Sequence, residues 1–400
     1  LELPLEPLDP EDSRAIVVES TRSAPLRPAE VDNVVARSGG NPLFLSEIIK
    51  VIRETGQATD LPDTLDSVVS SQIDQLPPLT KQVMRFSSVL GRSFRLDVLD
   101  ELLAPEGLEL DQATRRDLAR YIESEGRDRL RFRHAVVHDI AYQGLSYHRR
   151  QELHTRAGQV IERQAGDDPD SVAEILATHF SEGGEHEKAW RYGVVAGNRA
   201  QSIYAMTEAA TQYRIAVEAS RRIHTVGTDE KAQILEALGD VCETVGRYDE
   251  AERAFQETRR LLVDDLDAQG RLMSKLGLLR EKAGKLSAAL RWFRRGLNSV
   301  GGRPGTTESI VELSLAYGGI RYRQGRPHDT IEWCEAVLQR DDITDAQRAH
   351  ALYLAVLAYA TVGAPEAEAA GREGIEIYER IGDQVGLGHV LNNMGINYYY

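Results

Sequence analysis

The chain has 400 residues and a net charge of −15, with 42% hydrophobic and 6% aromatic residues, so it is too long for one core and about two to three domains are expected. Its acidity argues against a protein whose main task is holding nucleic acid, and no apolar run reaches the roughly 18 residues a bilayer span needs. Cys242 and Cys334 are the only cysteines, which excludes a disulfide framework or a zinc cluster and points to a reducing, cytoplasmic compartment.

The chain opens on Leu1 without a Met or a signal-type apolar region, and it stops at Tyr398-Tyr399-Tyr400 inside an unfinished pattern. It is therefore expected to be a piece of something longer. Two amphipathic stretches, Glu30 to Ala36 and Ser46 to Glu54, flank Arg37-Ser38-Gly39-Gly40-Asn41-Pro42-Leu43-Phe44-Leu45. The Gly-Asn-Pro turn ends one helix and starts the next, because proline is tolerated only in a first helical turn. Leu61-Pro62-Asp63-Thr64-Leu65 predicts another start, with Asp63 or Thr64 capping a helix to Gln75. Pro77-Pro78 ends it, and Leu79 to Leu90 forms the next helix, ending at Gly91.

Helices near Leu96 to Leu103 and Gln112 to Ile122 follow. From Arg127 to Arg133 apolar and polar residues alternate as in a half-buried strand, and His134 to Leu145 is helical again. Three helices, a strand and a closing helix predict a winged-helix module. This stretch is also the basic one, with Arg115, Arg116, Arg120, Arg127, Arg129, Arg131, Arg133, Arg149 and Arg150 set between acidic segments. It lacks the interleaved aromatic residues of a single-strand binder, so these arginines are expected to meet the acids of the preceding segment or nucleotide phosphates rather than DNA.

Beyond residue 170 a frame recurs. Leu238-Gly239 is followed by Gly246, Tyr248, Ala251 and Phe255; Leu276-Gly277 by Gly284, Leu286, Ala289 and Phe293; Tyr317-Gly318 by Gly325, Pro327, Thr330 and Cys334. Gly363 with Ala367 and Ala370 is a weaker copy, and Met394-Gly395 opens another. Ala177, Gly184, Ala189 and then Ala209, Tyr213, Ala216 extend it upstream, with a helix near 186 to 204 shared between two hairpins. These segments resemble tetratricopeptide repeats, stacked helix pairs in which the first glycine admits a close neighbour and the second turns the chain.

Read in order, the chain resembles the region that follows the nucleotide-binding core in STAND-class signalling ATPases, as found in bacterial nucleotide-cyclase-linked regulators and LuxR-type activators. The likeness rests on Gly39 to Leu45, on Ser88-Val89-Leu90-Gly91-Arg92-Ser93-Phe94, and on Phe132-Arg133-His134-Ala135-Val136-Val137-His138-Asp139-Ile140-Ala141-Tyr142. It implies a mainly α fold in three parts: a helical-lid remnant over 1–60, a winged-helix-like domain over 61–165, and a tetratricopeptide-repeat α-solenoid over 166–400. It implies that Pro42, with Gly40, and His134 contact nucleotide, with ATP or ADP and Mg expected in the full-length protein. Arg133 and Ala135 stand where that class has Met and Asp. The implied role is regulatory: the array meets a protein, a peptide or a small-molecule effector, and activation produces a homo-oligomer. An adenylate or guanylate cyclase and a LuxR-type activator are the alternative parents.

No catalytic motif is present. Gly277 to Lys285 mimics a phosphate loop but has the wrong spacing, and Leu261-Leu262-Val263-Asp264-Asp265 reads as a linker. His134 and His138, spaced i,i+4, lack the glutamate of a hydrolytic zinc helix, so no metal is expected.

Overall fold

The computed structural model describes residues 6–55, 63–301 and 307–397; Leu61-Pro62, just ahead of the expected helix cap, and the terminal tyrosines lie outside them, while Thr64 caps the next helix as expected. Among the described residues are 21 α-helices and three short strands, and contacts divide the chain into two units, Leu1–Glu185 and His186–Tyr400.

The first unit opens with α1 (Pro10–Ser20), α2 (Pro28–Ser38), α3 (Pro42–Thr55) and α4 (Leu65–Asp74). α1 has a proline in its first turn and a cap from Asp9, whose carboxylate accepts from Asp12 N–H at 2.7 Å. Val17, Val34, Leu45 and Ile48 form the core of this helical group. Then come α5 (Pro78–Val89), β1 (Ser93–Arg95), α6 (Leu96–Leu103), α7 (Gln112–Leu118), β2 (Ile122–Ser124), β3 (Arg129–Phe132) and α8 (Ala135–Gln143). The strands form an antiparallel sheet in the order β1-β3-β2, with Phe94 opposite Leu130 and Ile122 opposite Phe132.

Two boundaries differ from expectation. The helix expected to reach Ile122 stops at Leu118, because Ile122 is drawn into the sheet and the Tyr121 carbonyl accepts the Arg133 N–H at 2.8 Å. The strand over 127–133 is confined to Arg129–Phe132. Met84, Phe86, Leu102, Phe132 and Ala141 belong to one buried core cluster of this part. α9 (Tyr147–Gln164) and α10 (Ala173–Gly183) close the unit as a hairpin, with Gly158 against the Phe180 ring.

The second unit consists of α11 (His186–Ser202), α12 (Met206–Ser220), α13 (Thr228–Thr244), α14 (Tyr248–Leu261), α15 (Leu266–Lys282), α16 (Leu286–Val300), α17 (Thr307–Arg323), α18 (Pro327–Leu338), α19 (Asp345–Val362), α20 (Glu366–Ile381) and α21 (Gln384–Asn397). Consecutive helices pack as hairpins, giving the tetratricopeptide-type solenoid that the recurring frame predicts. The frame's physics is visible at Gly277, where a Cβ would stand 2.0 Å from Cε1 of Phe293, itself fully buried. Each aromatic thus fills against the glycine of its own hairpin.

One reading is corrected here. The helix over 186–202 is not shared between hairpins but pairs with α12, and Gly197 meets Tyr213 as Gly277 meets Phe293. What hid this copy is its turn. Seven residues after Gly239, Gly277 and Gly318 stand Gly246, Gly284 and Gly325, all at φ between 73° and 78°, but seven after Gly197 stands Tyr204 at φ 60°. Tyr204 is 83% exposed. Tyr204→Gly is expected to stabilise the array by about 0.5 kcal/mol, the relief of a left-handed side chain (about 1–2 kcal/mol) less the extra chain entropy of glycine (about 0.5–1 kcal/mol). A lower urea midpoint in the variant would mean that the tyrosine makes contacts worth more than its strain.

Candidate functional site

In the array, α15, α17 and α19 line a groove of about 870 Å³. The repeat places Arg271, Glu312 and His350 at corresponding positions on these three helices, and Leu278, Gly319 and Leu357 two turns further along. Leu315, Ala316, Tyr353 and Leu354 fill the floor between them. A Cβ on Gly319 would have only Leu354 Cδ2 nearby, at 3.9 Å, so the glycine leaves a recess.

The cations of the groove are engaged. Arg271 and Lys275 hold Glu236 at 3.0 and 2.8 Å, Lys275 also holds Asp240 at 2.6 Å, and Arg323 pairs with Glu281. Glu312 makes no ion pair within 4.0 Å among the described residues. Burial in the groove pushes its carboxyl up, Glu308 adds to this, and Arg271 and Lys275 oppose it. The surface is thus an apolar channel holding a carboxylate that has no ion pair among the described residues, a lining suited to holding a chain segment.

The residues singled out for nucleotide contact lie in the first unit. Asn41 caps α3, its side-chain oxygen accepting from the N–H groups of Leu43 (3.0 Å) and Phe44 (3.1 Å), and Pro42 is exposed in the first turn. Gly40 has φ 74°, and its carbonyl accepts the Leu8 N–H at 2.8 Å; a Cβ there would lie 2.4 Å from the Leu8 oxygen. Gly40 therefore shapes the turn, while Pro42 faces out. His134 is exposed just before α8 and makes no side-chain capping bond, although its carbonyl accepts from Val137 and His138. No hydrogen bond joins it to Gly40 or Pro42.

The arginine cluster is largely neutralised. Arg131 and Arg133 both pair with Glu123, at 2.6 and 2.7 Å, Arg149 with Glu106 at 2.8 Å and Glu152 at 2.6 Å, and Arg120 reaches Glu47 of α3 at 3.5 Å. Glu47 is buried. Burial opposes its ionisation, but Lys50, Gln72 and Arg120 outweigh this and hold its pKa below the ordinary range. Of the metal candidates, His138 bonds Asp139 at 2.8 Å and the Ser88 carbonyl at 3.0 Å. No group of three potential ligands converges among the described residues. Burial pushes the Cys242 and Cys334 thiols up to about 11 and about 12, leaving both as inert packing groups.

Two features escaped sequence reasoning. His154 and His179, on α9 and α10, meet Nδ1 to Nδ1 at 3.0 Å in the interior, and Tyr142 Oη lies 3.0 Å from His154 Nε2. The residue types were visible, but their spacing of 25 has no helical meaning. The other is the acid-free helix α16, where the repeat frame accounts for Phe293 and draws attention away from the three arginines around it.

No protein-family model matches the chain. An uncharacterized protein of Rhizobium meliloti (strain 1021) is 26% identical over 279 residues, 64% of this chain; the chain spans only 27% of that relative. A signal transduction ATPase with numerous domains carrying a tetratricopeptide repeat sensor, from Pyrococcus horikoshii, is similar in structure at 14% identity and a TM-score of 0.40, over 99% of this chain and 64% of that one. The Rap conjugation regulator of plasmid pLS20, solved with the Phr* peptide, gives 16% and 0.40, over 60% of this chain and 72% of that one. Among the described residues no helix is long and apolar enough to cross a membrane.

Proposed function

We propose that this chain is the regulatory and protein-interaction region of a STAND-type signal-transduction ATPase. The array senses a protein or peptide partner, and a winged-helix module relays its state to a nucleotide-binding core. The observation that carries the reading is the apolar groove across α15, α17 and α19. The sheet order β1-β3-β2, with α5 ahead of β1 and α6 and α7 between β1 and β2, supports the winged-helix part. Pro42 and the exposed imidazole of His134 fit contact with ADP phosphates and ribose, whereas Gly40, its carbonyl already bonded to Leu8, serves by holding the turn. A partner alters the switch only through differential affinity for its two states.

Gly319→Trp places an indole in the floor recess, at a position where a Cβ meets only Leu354 Cδ2 at 3.9 Å. Peptides selected from a displayed library on the natural chain are expected to bind this variant at least about tenfold more weakly, a loss of about 1.4 kcal/mol. Equal binding to both would remove the groove from the function. The chain itself should turn over no ATP, and hydrolysis by the purified chain would overturn the regulatory assignment.

A further inference from the structure

Helix α16 carries Arg291, Arg294 and Arg295 and no acidic residue over its whole length. The spacing i, i+3, i+4 puts them on one face. In a chain of net charge −15, none of the three has a carboxylate within 4.0 Å among the described residues. Arg295 lies over the Trp292 ring at 4.9 Å, and Arg294 donates to the Tyr317 hydroxyl at 2.9 Å. Arg321 of α17 donates to that same hydroxyl at 2.8 Å. Its nearest carboxylate, Asp329, is 3.5 Å away and is shared with Arg326, and its buried Nε has no hydrogen-bond partner. The four arginines border a cleft of about 570 Å³.

Two guanidiniums converging on one neutral phenol repel each other and leave donors unused. A compact anion with several oxygens would satisfy both defects. We propose that this cleft binds a phosphoryl group, carried by a nucleotide or by a phosphorylated protein segment. A phosphoryl offers three strong acceptors and nearly two charges to the four arginines, where a carboxylate offers two oxygens and one charge. A nucleic-acid duplex suits it poorly, since the basic surface is one cleft on an otherwise acidic array and a long polyanion would meet that acidity on every side.

The test is calorimetric titration of the full chain at about 50 mM salt, where phosphate contacts are least screened. The probes are pyrophosphate, ADP, a phosphoserine peptide, the same peptide with glutamate, and a 20-base-pair duplex. Pyrophosphate is expected to bind, and Arg291→Ala with Arg295→Ala, both exposed positions, to weaken it at least tenfold. Lysine at both sites should recover part of the loss, and Arg131→Ala with Arg133→Ala should change nothing. ADP tighter than pyrophosphate identifies a nucleotide source; a tighter phosphopeptide identifies a protein source. The proposal falls if no phosphate probe binds, if the alanine pair leaves affinity within twofold, if the glutamate peptide matches the phosphopeptide, or if the duplex is preferred.

Discussion

Phe293→Ala is expected to cost the array about 3–5 kcal/mol, the loss of a fully buried ring together with the cavity it leaves. The ring lies across the backbone of Gly277, so the two positions form one unit. Gly277→Ala alone should cost about 1–3 kcal/mol, because its Cβ would land 2.0 Å from the ring and force the hairpin apart. In the Phe293→Ala background the same change should become favourable by about 0.5–1 kcal/mol, the helix preference of alanine over glycine. Gly318 supplies the contrast. Cys334 stands where the aromatic would be, and a Cβ on Gly318 would meet Trp333 at an ordinary 3.4 Å, so Gly318→Ala should be neutral or mildly stabilising. Urea unfolding of the four variants followed by circular dichroism measures the cycle, and additive losses at 277 and 293 would disprove the contact.

The second large effect is an acid sensitivity located in the first unit. Burial pushes His154 down to about 3, with His179 and Arg150 adding to the shift, and burial pushes His179 down to about 4. Two neutral rings satisfy the Nδ1 to Nδ1 contact, one donating and one accepting, whereas two imidazolium ions would set N–H against N–H. Both folded values lie below the unfolded value of about 6.5, so the stability they contribute is complete above that pH and is lost as pH falls from about 6.5 toward about 4 for His179 and about 3 for His154. At about pH 4.5 the two together should have cost roughly 5 kcal/mol, at about 1.4 kcal/mol per pH unit for each ring. His154→Phe with His179→Leu removes the titrating pair. If the variant loses stability between pH 7 and 4.5 as steeply as the natural chain, the acid sensitivity resides elsewhere.

What could be read in advance follows a physical division. Gly239 with Phe255 and Gly277 with Phe293 were legible because a close helix crossing and a left-handed turn each admit few residue types. Tyr204 concealed the α11–α12 hairpin by breaking that rule in public view. β1 and β2, at three residues each, are too short for an alternation to register; their existence depends on pairing with β3. The arginines of residues 115–150 stood out by number, yet charge in a sequence says nothing of neutralisation, and Glu123, Glu106 and Glu152 cancel much of it. Three arginines on α16 matter more because their neighbours supply no acid. The groove combines residues 41 and 38 apart in sequence, so only the repeat offset could have aligned Glu312 with Arg271 and His350.

One helix serves two faces. α17 sends Glu312 and Gly319 into the groove and Tyr317 and Arg321 to the arginine cleft, and it touches α15, α16, α18 and α19. An occupant that tilted α17 from one side would shift the donors on the other, and thermodynamic reciprocity would make the influence equal in both directions. Were both surfaces occupied as proposed, α17 would couple two ligands that never meet: a segment seated in the channel would be felt as a change in anion affinity.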